Sequence, residues 1–148
     1  MAKVMVEKME LDRIVPYENN PRRNERAISA VENSIKQFGY QNPIIVDKNN
    51  IVIAGHSRLE AAKRLGIKVL PVIVADDLTS EQANAFRLAD NRTASFSEWD
   101  ERKLRDELAD VVEIDMSDFG FKVELVKEIA SRREDGKVHV CPRCGHRW

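Results

Sequence analysis

Cysteine is nearly absent from this chain. Both of its cysteines lie within the last eight residues, so the remaining sequence cannot form a disulfide, which is typical of a reducing cytoplasm. No stretch approaches the roughly 18 consecutive apolar residues that a membrane-spanning helix needs. The first residues, Met1-Ala2-Lys3-Val4, contain no apolar segment of the kind found in secretory signals. We therefore expect a cytoplasmic protein without a membrane partner.

A positive charge excess is also missing, since 24 Lys and Arg residues face 25 Asp and Glu residues. Proteins that bind nucleic acid through non-specific phosphate contacts usually carry a strong basic excess. Any basic surface must therefore be local. Two clusters are candidates, Arg22 with Arg23 and Arg26, and Arg132 with Arg133. With 148 residues, the chain can form one compact domain and a small appendage.

Strand and helix patterns alternate in the first half of the chain. Apolar and polar residues alternate at the N-terminus, a helical repeat follows a loop rich in Asn and Pro, and later apolar runs are short and β-branched. The predicted elements are a strand within 3–15, a helix capped by Asn24 and stopped by Gly39, a strand pair within 43–54, a helix at about 58–65 and a strand at 68–75.

The second half contains helical patterns only. Thr79-Ser-Glu-Gln82 is a capping-box pattern, and Ser97-Glu-Trp-Asp100 repeats this start signal before another helix. A third helix is predicted over about 122–133. We expect Trp99, together with Leu104, Leu108 and Phe121, to pack on the core or on a second chain. The order of elements predicts an α+β core followed by a helical extension.

The segment from Ile51 to Ala62 suggests chemistry, because a strand ends at a glycine and a helix begins at once. The free N–H groups of a helix's first turn, with the helix dipole, form an anion site. Gly55 allows a phosphate to approach the backbone, and Arg58 can add a forked hydrogen bond. However, Ser57 and Glu60 also match a capping box, which a helix without a ligand uses in the same way.

Four motifs in order resemble those of ParB-like proteins, across residues 9–95. Gly55-His-Ser-Arg-Leu-Glu-Ala61 matches the Gly-x-x-Arg-x-x-Ala motif of this family. Asn20-Pro-Arg-Arg23 resembles the family's Pro-Arg box, and Ala89-Asp-Asn-Arg92 resembles its Glu-Asn-x-x-Arg box. Phe38-Gly-Tyr-Gln-Asn-Pro-Ile-Ile-Val46 resembles its Gly-x-x-x-Pro-Ile-x-Val strand entry. The resemblance implies the ParB/sulfiredoxin fold for residues 1–95, ahead of a helical extension at 96–133.

In the partition proteins of this family, the domain binds cytidine triphosphate with magnesium. The resemblance therefore implies that a nucleoside triphosphate, CTP or ATP, binds with Mg²⁺. The implied phosphate contacts are Gly55, His56, Ser57 and Arg58, with Arg22 and Arg23. It also implies a magnesium position at Asp90 or Asn91, and such an ion commonly takes one or two carboxylate or amide oxygens from a protein.

The chain departs from the family pattern at several of these positions. Ser57-Arg58 stands where partition proteins typically have two adjacent arginines, and Asp90 stands where they have a glutamate. His56 occupies the position of the catalytic cysteine of sulfiredoxins, which excludes their activity. Residues 97–121 resemble ParB-like modules of phage and mobile-element proteins, which are often fused ahead of DNA methyltransferases. Expected partners are DNA, a second copy of the chain, or a methyltransferase or other phage protein.

Three functions remain open. The first is a nucleoside-triphosphate-binding module that acts in DNA transactions such as partition, regulation or modification. The second is an enzyme: a nuclease would need carboxylates clustered around two metal ions, for which Glu60, Asp90 and Asp47 are the only candidates nearby. A small-molecule kinase would use Glu60 or His56 as its base. The third is a protein-interaction module whose pocket has no catalytic task.

The tail, residues 138–148, has the Cys-Pro-x-Cys-Gly pattern of a zinc knuckle and follows a linker at 134–137. Cys141 and Cys144 can bind Zn²⁺ as thiolates, and tetrahedral zinc needs four ligands. His139 and His146 could complete the set within one chain, or two chains could each donate a cysteine pair. The alternative is a tail with free thiols and no metal.

Overall fold

A computed structural model describes residues 5–22 and 25–134 of the chain. Two compact units are present, Met1–Glu98 and Trp99–Trp148. Within the described residues, the first unit combines a β-sheet with helices, whereas the second unit, described as far as residue 134, contains helices only. The fold class predicted from the sequence, α+β, is confirmed.

A four-stranded sheet forms the centre of the first unit. Its strands are β1 (Val6–Glu10), β2 (Ile44–Asp47), β3 (Val52–Ala54) and β4 (Val69–Ala75). Their order across the sheet is β1-β4-β2-β3. Strand β4 runs antiparallel to β1 and parallel to β2, while β2 and β3 form the predicted antiparallel pair. The parallel pair is possible because the long connection between β2 and β4 includes a helix.

The first unit also contains helices α1 (Glu25–Phe38), α2 (His56–Arg64) and α3 (Ser80–Ala94). At the start of α3, Thr79 Oγ1 accepts the N–H of Gln82 at 3.2 Å, and the Gln82 side chain accepts the N–H of Thr79 at 2.9 Å. This is the predicted capping box. The reciprocal pair satisfies two backbone donors, so α3 begins where the sequence pattern placed it.

The core of the first unit joins the sheet to α2. It consists of apolar side chains from every strand and from the inner face of that helix. These residues are Met9, Ile14, Ile44, Val46, Val52, Leu59, Ala62, Leu70 and Val72. Burial of one Val, Leu or Ile side chain contributes about 1.5–3 kcal/mol. This core therefore holds the β3–α2 junction, and with it Gly55, in place.

The second unit contains α4 (Glu101–Asp110) and α5 (Val123–Glu134). Asp100 is the N-cap of α4, since its Oδ1 accepts the N–H groups of Arg102 at 3.1 Å and Lys103 at 3.2 Å. The helix start predicted at Ser97 is therefore wrong. A carboxylate that binds two first-turn donors and faces the positive end of the helix dipole is the better cap.

The aromatic residues of the second unit are less buried than the sequence suggested. Leu108 is buried, but Trp99 is 70% exposed. The Trp99 ring lies 5.9 Å from the Phe121 ring, centroid to centroid, so only part of its surface is covered. Trp99 does not pack in a core formed by the described residues, because one aromatic neighbour cannot enclose an indole. Its packing on a second chain stays a prediction. Within residues 5–22 and 25–134, no helix is both long and apolar enough to cross a membrane.

Candidate functional site

The start of α2 coincides with the glycine that the sequence singled out. Gly55 is the N-cap, and its φ of +108° lies in the left-handed region that favours glycine. Among the described residues, no side chain accepts a capping hydrogen bond from the first turn of α2. The N–H groups of the first turn, together with the positive end of the helix dipole, are therefore available to an anion.

The capping box predicted for Ser57 and Glu60 is wrong. The helix begins at His56, so Ser57 lies inside the first turn and does not occupy the N-cap. Glu60 Oε1 instead pairs with Lys63 Nζ at 2.7 Å. The reason is that the left-handed conformation of Gly55 starts the helix two residues earlier than the serine pattern suggested.

Two cavities open beside this helix start. The larger, about 290 Å³, is rich in side-chain amides and is called the amide cavity; it is lined by Tyr17, Asn19, Asn20, Pro21, His56, Asn84, Arg87, Leu88 and Asn91. The smaller, about 220 Å³, is called the helix-start cavity; it is lined by Pro16, Tyr17, Asn20, Arg22, Ile28, His56, Leu59 and Glu60. Tyr17, Asn20 and His56 line both, so the cavities are neighbouring compartments of one site.

A hydrogen bond between Arg22 and Asn91 links the two compartments. Arg22 Nη1 donates to Asn91 Oδ1 at 3.1 Å. Asn91 Nδ2 donates to the main-chain oxygen of Arg87 at 2.8 Å. Because its nitrogen is committed to the backbone of α3, the amide of Asn91 turns its oxygen away from the helix. This leaves an oxygen acceptor facing the loop that carries Arg22.

Arg87 is a buried cation in the wall of the amide cavity, with 6% of its surface exposed. Its Nε donates to the Val52 carbonyl at 2.8 Å, its Nη2 to Asp47 Oδ2 at 3.3 Å, and its Nη1 to Asn84 Oδ1. The guanidinium carbon lies 4.1 Å from the ring centroid of Tyr17. Asp47 is buried as well. Removal of one partner from such a pair typically costs about 3–5 kcal/mol.

His56 lies in surroundings that disfavour its charged form and hold its pKa below the ordinary value. Burial lowers its pKa, and the positive charge of Arg87 lowers it further, while Glu60 acts in the opposite direction. His56 Nε2 is buried and has no hydrogen-bond partner among the described residues. A buried polar atom without a partner costs about 1–3 kcal/mol. His56 therefore lines both cavities as a residue, while its Nε2 is closed to solvent and has no partner in the described part of the chain.

Arg58 lines a different cavity. Its Nη1 donates to the carbonyl oxygens of Asn42 at 3.2 Å and Pro43 at 2.6 Å. With Tyr40 and residues of α1, it lines a cavity of about 260 Å³. Burial raises the pKa of Tyr40 to about 12, against the opposing charge of Arg58. Arg58 thus braces the start of α2 against the entry to β2, and the phosphate fork predicted for it stays a prediction.

Four of the predicted site residues meet at the two cavities, although they come from separate segments of the chain. These are Arg22, His56, Glu60 and Asn91. Gly55 and Ser57 belong to the same helix start without lining either cavity. Arg58 lines the separate cavity beside Tyr40, and Asp90 is exposed and lines neither of the two cavities. The other predicted residues lie outside the described part of the chain: Arg23, His139, Cys141, Cys144 and His146.

Of Asp90 and Asn91, the two positions predicted for a magnesium ion, only Asn91 lines the site. Its Oδ1 is turned away from α3, whereas Asp90 is exposed and lines neither cavity. Within the described residues, no three His, Cys, Asp or Glu side chains lie close enough to hold a metal ion by themselves. An ion that arrives on phosphates needs only one or two protein oxygens. Asn91 would supply one such oxygen, and the ion would neutralise phosphate charge.

Sequence reasoning missed Arg87 and Tyr17. Arg87 follows the buried Ala83 by four positions and so lies on the apolar face of α3. A charged residue on such a face is a signal that could have found it, because a buried charge needs a partner. No local pattern connects Arg87 to Tyr17 or Asp47, since these contacts depend on the fold.

The protein is an α+β module with a small mixed sheet. The start of α2 has no side-chain cap, and Arg22 and side-chain amides surround it, so the site is suited to an anionic ligand. Residues 1–92 match the ParB N-terminal domain family. The match covers more than half of the chain, and the chain belongs to this family. The family predicted from the four motifs is confirmed.

Similar proteins include the ParB-like nuclease domain-containing protein YnaK of Escherichia coli. It is 45% identical over 74 residues, which are 49% of this chain and 84% of YnaK. The probable chromosome-partitioning protein ParB of Campylobacter jejuni is 45% identical over 73 residues. Those residues are 46% of this chain but only 26% of that ParB. The chain therefore resembles one part of a partition protein.

The fold is similar to that of a solved partition protein. A C-terminally truncated chromosome-partitioning protein ParB from Caulobacter crescentus, complexed with CTP-gamma-S, matches with a TM-score of 0.65. The match covers 85% of this chain and 77% of that structure, at 20% sequence identity. At this identity the comparison establishes a shared ParB-type fold, as the sequence motifs predicted.

Proposed function

We propose that this chain is a ParB-like module that binds a nucleoside triphosphate within residues 1–95. The observation that carries the proposal is the convergence of Arg22, His56 and Asn91 around the uncapped start of α2. A site of this kind favours an anion with several oxygens. The Caulobacter ParB of similar fold was solved with CTP-gamma-S, which supports a triphosphate as the ligand.

Each residue of the site has a separate task in this proposal. The backbone at Gly55, His56 and Ser57 donates N–H groups to the phosphates, with Gly55 allowing the close approach. Arg22 adds positive charge when it leaves Asn91, and Asn91 then offers its oxygen to the magnesium ion. Arg58 would contact phosphate only after it releases the carbonyls of Asn42 and Pro43.

The similarity to probable chromosome-partitioning proteins supports a role in DNA transactions such as chromosome partitioning. Direct contact between DNA and the second unit has less support. From Trp99 to Glu134, with the candidate cluster Arg132 and Arg133 included, the sequence contains eleven acidic and seven basic residues. Such a surface repels phosphates, so any DNA contact would come from the first unit or from a partner. A second copy of the chain, or a phage protein such as a DNA methyltransferase, would supply that contact.

An enzymatic function is the second candidate, and one observation favours it. Glu60 and His56 both line the helix-start cavity, which places a carboxylate and a neutral imidazole beside the proposed phosphate site. Either group could accept a proton from a nucleophile. Nuclease, triphosphatase and serine-kinase assays with Glu60→Gln and His56→Gln would test it. Background-level turnover by the unaltered chain in all three assays would argue against an enzyme.

Calorimetric titration with each of the four nucleoside triphosphates, with and without Mg²⁺, tests the proposed function. We expect micromolar or tighter binding of at least one triphosphate. Arg22→Ala and Asn91→Ala should each weaken binding by about tenfold to a hundredfold, because hydrogen bonds to charged groups contribute about 1.5–3 kcal/mol. Arg105→Ala, which removes an exposed arginine of α4, is the control and should leave the affinity unchanged. If none of the four nucleotides binds, the proposed function fails.

A further inference from the structure

Asp47 and Arg87 are the only buried charged residues among the described residues. Buried ion pairs are weak contributors to stability, because desolvation offsets their attraction, and well-packed apolar residues often replace them without loss. The core of this unit already contains nine buried apolar residues that stabilise it without an ion pair. The Asp47–Arg87 pair is therefore expected to have a role besides stabilising the fold.

The side chain of Arg87 ties α3 to three other parts of the first unit. It contacts β2 through Asp47, the start of β3 through the Val52 carbonyl, and the loop before α1 through the ring of Tyr17. Asp47 is itself fixed, since its Oδ1 accepts the N–H groups of Asn49 at 2.8 Å and Ile51 at 3.0 Å. Arg87 is thus anchored on a rigid hairpin turn.

Arg87 itself lines the amide cavity, and Asn91, the proposed magnesium ligand, lies one turn further along α3. Asn91 is four residues after Arg87 and hydrogen-bonds to its carbonyl oxygen. On the other side, Tyr17 lines both cavities and is covered by the Arg87 guanidinium. Because residues four apart lie on nearly the same face of an α-helix, a rotation of α3 that displaced Arg87 would also turn the Asn91 oxygen away from Arg22.

We propose that Arg87 is a positioning residue of the triphosphate site, which holds Asn91 and Tyr17 at the distance and orientation that the ligand needs. This inference rests on the proposed function. Although Arg87 lines the amide cavity, its guanidinium is bound to Asp47, Val52 and Asn84, and in this role it does not contact the ligand. It acts through Asn91, by fixing the rotation of α3, and through Tyr17, by fixing the loop that ends in Arg22.

The test compares Arg87→Gln and Arg87→Lys with Leu70→Ala. The control removes a fully buried side chain from β4 and so destabilises the same unit without a change at α3. All variants are studied in the full chain, below the unfolding temperature measured for each. Triphosphate affinity is measured by calorimetry with and without Mg²⁺, alone and in combination with Asn91→Ala.

We expect Arg87→Gln to weaken triphosphate binding at least tenfold and to reduce its dependence on Mg²⁺, whereas Leu70→Ala should change the affinity less than threefold. Arg87→Lys, which keeps the charge, should fall between Arg87→Gln and the unaltered chain. Adding Asn91→Ala to Arg87→Gln should cost little more, because both changes remove the same contact. Unchanged triphosphate affinity in folded Arg87→Gln would overturn the inference. It would also be overturned if the double variant lost affinity by the product of the two single-variant factors.

A second measurement needs no nucleotide and separates the inference from the proposed function. In ¹H–¹⁵N spectra of the unliganded chain, the side-chain amide signal of Asn91 should shift in Arg87→Gln and stay in place in Leu70→Ala. If no triphosphate binds the unaltered chain, the proposed function is wrong. In that case an unmoved Asn91 signal in Arg87→Gln refutes the positioning role, and a moved signal supports it.

Discussion

Arg22 and Asn91 lie 69 positions apart in the sequence and are joined by a hydrogen bond of 3.1 Å between Nη1 and Oδ1. The pair is exposed, so its net contribution to stability is small, on the order of 1 kcal/mol or less. In the proposed function the same two groups bind phosphate and magnesium. Triphosphate binding would then replace the weak Arg22–Asn91 hydrogen bond with two charge-assisted contacts, one to phosphate and one to magnesium. Before the ligand binds, the Arg22–Asn91 hydrogen bond keeps both side chains close to the positions in which they would contact it.

Replacement of Gly55 by alanine should destabilise the first unit by about 1–3 kcal/mol. At φ +108° a side chain is strained, and the added Cβ would lie 3.1 Å from Nε and Nη2 of Arg58. Gly66→Ala is the matched control, because Gly66 also has a positive φ, +69°, but nothing lies within 4 Å of its Cβ position. Urea denaturation measures both variants. Equal losses of unfolding free energy would show that crowding at Arg58 is unimportant.

Acidification should destabilise the chain through His56. Its pKa in the folded chain is below the ordinary value of 6.5, so the unfolded chain binds more protons once the pH falls below about 6.5. The free energy of unfolding contributed by the neutral imidazole is therefore intact above that pH and is lost progressively below it. His56→Gln should remove this component. The measurement is denaturant unfolding of both proteins from pH 7.5 to 5, and parallel curves would contradict the prediction.

Trp99 should fluoresce as a solvent-exposed indole. It is 70% exposed and has Phe121 as an aromatic neighbour. In a Trp148→Phe background, which leaves Trp99 as the only tryptophan, we expect red-shifted emission and ready quenching by iodide. A blue-shifted emission that depends on protein concentration would show instead that a second chain covers Trp99.

The tail stays a prediction, because Cys141 and Cys144 lie outside the described residues. We expect the two thiolates to bind zinc, and the stoichiometry to identify the remaining ligands. Half a zinc ion per chain indicates a site shared by two cysteine pairs, and one ion per chain indicates completion by His139 and His146. Elemental analysis of protein purified without chelator decides between them. Protein free of zinc, with both thiols titratable, would refute the metal site.

Local patterns predicted the elements whose determinants are close in sequence. The capping box at Thr79 and Gln82 placed the start of α3. Alternating residues placed β1, and short β-branched apolar runs placed the other strands. Predictions failed where two local signals competed. Ser57 and Ser97 both match a capping pattern, but Gly55 and Asp100 start those helices. A left-handed glycine and a carboxylate that accepts two N–H groups were the stronger determinants.

By itself, the sequence determined the family, the order of strands and helices, and the position of Gly55 between β3 and α2, since these depend on motifs and periodicities within short segments. Only the tertiary structure decided which side chains share a cavity. It placed Arg58 against the carbonyls of Asn42 and Pro43, and it joined Arg87 to Asp47, 40 positions earlier. The reason is physical: a buried arginine takes its partners from whichever strands and loops fold around it, and no local pattern records that choice.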